Sequence, residues 1–156
     1  MKKYLAVIMT VLMSLSVNAA EQKIDLSPEL RALLVEEMNA IKKGMESLVF
    51  LVASGDWHRI EETARNIEQT YIMKNRLTEH QRHELHQKLP HSFIEVDKKF
   101  HYYAGMLSHV AKEHDSELVN FYIYKMNESC VACHSKFVSD KFTGFQQKNR
   151  HEEHNH

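Results

Sequence analysis

From Ser27 onward, apolar residues recur at helical rather than strand spacing. Ser27, Pro28 and Glu29 form a helix start: the hydroxyl can cap free N–H groups, proline fits the first helical position, and the acid faces the positive end. Leu34, Met38, Ile41, Met45, Leu48 and Val52 then follow at steps of four and three, which keeps one apolar seam on one face until Gly55 ends it. The spacing predicts a first helix over 28–54. Asp56 can cap a second, in which Trp57, Ile60, Ala64, Ile67 and Tyr71 repeat the alternation before it fades near Asn75.

Thr78 and Gln81 make a capping-box pattern, opening a short polar helix that stops around Leu89 and Pro90 and reads as a connector. Phe93, Val96, Phe100, Tyr103, Leu107 and Val110 form a third long seam. Asp115 or Ser116 caps a fourth, through Leu118, Tyr122, Met126 and Cys133 to about Phe142. Four long amphipathic segments with brief connections predict an all-α fold, an antiparallel four-helix bundle with cofactor sites between facing helices. The stretch from Phe145 to His156 has no periodicity and is expected to be a disordered, His-rich tail.

Composition agrees with helices, since four glycines and two prolines are few for a domain rich in hairpins. The net charge of −1 is spread over interspersed acids and bases, so no basic stripe marks a nucleic-acid binder. The amino terminus carries a different signal. Lys2 and Lys3 precede an apolar run from Leu5 to Val17, and Val17, Asn18 and Ala19 complete a cleavage site. A signal peptide over 1–19 and export to the periplasm follow, with cleavage after Ala20 nearly as favourable. The run is too short to span a bilayer comfortably, and no later stretch reaches the roughly 20 apolar residues needed. A soluble mature chain without stable membrane insertion is expected, forming one domain over 20–144.

The chemistry sits on the last seam. The chain's two cysteines lie in Cys130-Val131-Ala132-Cys133-His134, the spacing of covalent haem attachment. Residues three and four apart share a helix face, so both thiols can reach the two vinyl groups along one porphyrin edge while His134 projects toward the iron. Three other uses compete for such a pair. A disulfide closing so small a loop adds little stability, a thioredoxin-type motif expects alternating strands and helices, and zinc lacks a fourth ligand.

The signal peptide, the four-helix pattern and the single Cys-x-x-Cys-His near the carboxyl end resemble the class II cytochromes c, cytochrome c′ and cytochrome c-556, over Ser27 to Phe142. The resemblance implies one haem c in the bundle core, held by Cys130 and Cys133, with His134 as proximal ligand and a first-helix residue on the distal side. Met38 and Met45 match the family's distal position and the apolar residue seven further on. Where the family places Arg-Gln before the distal position, this chain has Leu34 and Val35, so haem-propionate contacts do not carry over. Val138 stands where a basic residue commonly follows the proximal histidine, with Phe137 keeping the aromatic before it. Redox proteins as partners and a homodimer through the first two helices are further implications.

A thioether opposite histidine raises the haem potential and fills the sixth position, which suits electron transfer rather than catalysis. Met38 is the expected metal ligand of this kind, ahead of Met45, Met106 and Met126. The alternative is a five-coordinate protein binding nitric oxide or carbon monoxide, with Met38 only packing over the open iron face. A peroxidase would need a distal acid-base group from His101 or His109, and both fall off the apolar seam, where solvated histidines are expected. His80, His83 and His86 on the connector, and His151, His154 and His156 in the tail, read as solvated chain rather than loose metal sites.

Overall fold

The computed structural model describes residues 24–69 and 76–145, and every regular element among them is helical. Helix α1 spans Pro28–Ser54. Ser27 Oγ accepts from the Leu30 N–H at 3.4 Å, and Gly55 closes the helix at φ 67° with its N–H on the carbonyls of Leu51 and Val52. That left-handed conformation costs a residue bearing a β-carbon roughly 1–2 kcal/mol and glycine almost nothing. Helix α2, Trp57–Gln69, starts with the Arg59 N–H donating to Asp56 Oδ1 at 3.2 Å. The signal peptide, the continuation of the second seam through Tyr71 and the residues after Phe145 lie outside the described residues.

Helix α3, Glu79–Lys88, carries the expected capping box: Thr78 accepts from the Gln81 N–H at 3.3 Å, and Gln81 Oε1 accepts from the Thr78 N–H at 2.9 Å. No residue of α3 is buried, as its polar sequence requires. Helix α4 spans His91–Lys112, and helix α5, Ser116–Phe137, is capped by Asp115 accepting from the Leu118 N–H at 2.9 Å. The fourth long helix thus ends before the expected Phe142. Ser139 and Asp140 favour turns over helix interiors, and the chain folds back into a 3-10 turn at Thr143–Phe145.

Helix α4 packs extensively against both α2 and α5, α1 packs on α2, and α1 barely meets α5. The main core gathers Ile41, Leu48 and Leu51 of α1, Ile60, Ala64 and Ile67 of α2, Phe100, Ala104, Leu107, Val110 and Ala111 of α4, and Val119 and Met126 of α5. Leu26, Leu30 and Leu77 form a separate cluster, with Leu33, Leu34, Leu85 and Leu89 against it. The start of α1 is tied to the connector, where Glu84 accepts from the Ser27 N–H at 2.9 Å.

The inward face of α1 is rotated from the expected seam. Its buried positions are Leu30, Glu37, Ile41, Leu48 and Leu51, while Met38 is 37% exposed and Met45 and Val52 are half-buried. On this side the Ile67 side chain packs against the α1 backbone: a β-carbon at Gly44 would stand 2.8 Å from Ile67 Cδ1, so the glycine makes room for it between α1 and α2. Among the described residues, no helix is long and apolar enough to cross a membrane.

Candidate functional site

The final turns of α5 present Met126, Ser129, Cys130, Cys133, His134 and Phe137 inward, while Val131, Ala132, Ser135 and Lys136 are exposed. Steps of three and four carry that face, so the helix itself brings both thiols and the imidazole to one side. Cys130 rests against the main core, and Phe137 meets Phe93 of α4 edge to face at 5.3 Å. Both cysteines are free thiols. Burial pushes the Cys130 thiol up. Burial, the Asp97 carboxylate and Cys130 together push Cys133 up to about 11.

Burial also lowers the pKa of His134, which favours the neutral imidazole and leaves a nitrogen lone pair for a metal. The ring lies flat on Phe142, with centroids 4.2 Å apart and planes 7° from parallel. The return of the chain makes this stack. Val138 donates to the His134 carbonyl at 3.2 Å, and Lys141 and Phe142 donate to the Val138 carbonyl at 3.0 and 3.3 Å.

These features separate the uses open to the cysteine pair. The attacking thiol of a redox-active dithiol commonly has a lowered pKa, whereas burial shifts both thiols here the other way. Among the described residues, no group of three or more His, Cys, Asp and Glu side chains is arranged to hold a metal ion, so Cys130, Cys133 and His134 do not form a zinc cage. A porphyrin needs no such convergence: two thiols on one helix face would form the thioethers, and the imidazole one residue on would be available to the iron.

The apolar interior is divided along α1. Its main cluster begins at Ile41 and the second holds Leu30, with Leu33 and Leu34 against it, so Glu37 and Met38 stand on the turn between. Met45 packs on the main cluster and Met126 is wholly buried within it. Met38 is the most exposed of these three. The two thiols and the imidazole that α5 carries on one inward face fit the attachment of a haem.

The expected surface position of His101 is corrected. It is 3% exposed, donates through Nδ1 to the Ile67 carbonyl at 3.0 Å, and directs Nε2 toward Asp97 Oδ1 at 3.6 Å. A ring that meets a carbonyl and a carboxylate can be buried off an apolar seam. His109, His80, His83 and His86 are exposed, as expected. Periodicity also passed over Phe142 and Asp97, because contacts across a turn or between helices leave no mark in the spacing of one helix.

The chain matches no family model, no curated protein and no solved structure.

Proposed function

We propose that this chain is an exported monohaem c-type cytochrome of the class II kind, an antiparallel four-helix bundle that carries electrons in the periplasm. The observation that supports this most is the Cys130-Val131-Ala132-Cys133-His134 segment on the inward face of α5, with half-buried, uncharged thiols and imidazole. Cys130 and Cys133 would hold the haem through thioether bonds, and His134 would be the proximal iron ligand. When bound, haem supplies a one-electron couple between ferric and ferrous iron.

The chain's own groups do the rest. Met38, which belongs to neither packed cluster, would supply a soft thioether to the iron, a ligand that favours the ferrous state. His101, tied to Ile67, is not presented as a free acid-base group, which favours electron carriage over peroxidase chemistry.

The test is extraction. Protein made in a host able to attach haem should keep its pigment through denaturation and acid-acetone treatment, since neither breaks a thioether. The double variant Cys130→Ala, Cys133→Ala should release it. Pigment lost from the unmodified protein would overturn the assignment.

A further inference from the structure

The stack of His134 on Phe142 is the closest ring contact of the site, and it crosses a turn rather than a helix face. Stacking uses the faces of an imidazole, whereas metal ligation uses a lone pair in the ring plane, so one ring can do both at once. A flat partner at 4.2 Å opposes rotation of the imidazole about its bond to Cβ. Phe142 is itself braced: Phe145 donates its N–H to the Phe142 carbonyl at 2.9 Å, and the two rings lie 6.4 Å apart. At 42% exposed, Phe142 also covers one side of His134 without being part of the core, so its loss leaves the bundle standing.

We propose that Phe142 is a positioning residue, whose ring fixes the plane of the His134 imidazole and keeps water from that side of the ligand. The proposal rests on the haem assignment above. Groups that orient a metal-bound histidine are usually hydrogen-bond acceptors, and an aromatic face here takes the same part by contact. Orientation of an axial imidazole sets how unpaired spin spreads over the porphyrin. The haem-methyl resonances of the ferric protein therefore read the ring plane, and the reduction potential reads the exclusion of water.

The experiment compares Phe142→Ala, Phe142→Leu and Phe142→Tyr in the haem-loaded protein. Phe142→Ala should change the spread of the haem-methyl resonances and move the potential to more negative values, since water favours the more highly charged ferric state. Phe142→Leu should restore the potential, being apolar cover, but not the resonance pattern, having no flat face. Phe142→Tyr should restore both. Haem-loaded Phe142→Ala with the parent's resonance pattern and potential would overturn the role of Phe142 and leave the haem assignment standing. Acid-acetone extraction of the parent separates the two ideas, because release of its pigment overturns the haem assignment and this inference with it.

Discussion

His101 donates its Nδ1–H to the carbonyl of Ile67 at 3.0 Å, joining the buried face of α4 to the last described turn of α2. Replacing the ring by phenyl keeps most of its volume and removes the donor. His101→Phe should lower stability by about 1–3 kcal/mol, the usual cost of leaving a buried polar partner unpaired. His109→Phe, on the exposed side of the same helix, should stay within about 0.5 kcal/mol of the parent. Urea unfolding followed by helical circular dichroism measures both, and equal midpoints for the two variants would contradict this account.

Gly55 supplies a second test, confined to the backbone. It sits at φ 67°, and a β-carbon built there meets nothing within 4 Å, so substitution changes conformational strain and not packing. Gly55→Ala should cost about 1–2 kcal/mol in thermal or urea unfolding. The absorption spectrum of the loaded protein should not move. A variant as stable as the parent would show that the end of α1 relaxes out of the left-handed form.

Helix starts were readable from local chemistry. Ser27, Thr78 and Asp115 each cap the helix that their side chains and neighbours predict, and Gly55 ends α1 where its freedom from a β-carbon is needed. The direction in which α1 faces was not, because Met38, Met45 and Val52 are as apolar as Ile41, Leu48 and Leu51. The contact between Gly44 and the Ile67 side chain of α2, which the spacing of one helix does not reveal, lies on the side that is buried. That Cys130, Cys133 and His134 share an inward face was legible because one helix carries all three. His101, Asp97 and Phe142 were not, since each acquires its place from another helix or from a turn.

The thiols of chain made without haem attachment give a pH test. Burial first, then the Asp97 carboxylate and Cys130, push Cys133 up to about 11. An ordinary thiol titrates near 8.5, so at that pH the folded chain should hold on the order of a hundredfold less Cys133 thiolate than the unfolded chain. Alkylation by iodoacetamide should be slowed to match and should accelerate until about pH 11. The sign for stability follows, because a folded pKa above the unfolded one makes this contribution full below about pH 8.5 and lost as pH climbs toward 11. Asp97→Asn should speed alkylation modestly. Equal rates in native buffer and in denaturant would show that Cys133 is not half-buried in the unloaded chain.

On the proposed haem assignment, the sixth iron position decides between electron carriage and gas binding, and Met38 is where the two readings part. Met38 is 37% exposed on the turn of α1 between the two apolar clusters, whereas Met45 packs on the main cluster and Met126 is buried in it. Met38 is therefore the methionine of the three that the main core does not hold. Met38→Ala should convert a low-spin spectrum with the weak methionine-to-iron charge-transfer band into a high-spin one, and the reduced variant should bind carbon monoxide readily. Because Met38 is partly exposed, the substitution should cost well under the roughly 2–5 kcal/mol of a buried methionine, which Met126→Ala should approach. Met45→Ala should lower stability and leave coordination unchanged. An unmutated protein already high-spin and able to bind carbon monoxide would reduce Met38 to packing and replace electron carriage with gas binding. Opening of the iron by Met45→Ala but not by Met38→Ala would keep the haem and move the distal ligand two turns along α1, to a side chain that must first leave the main core.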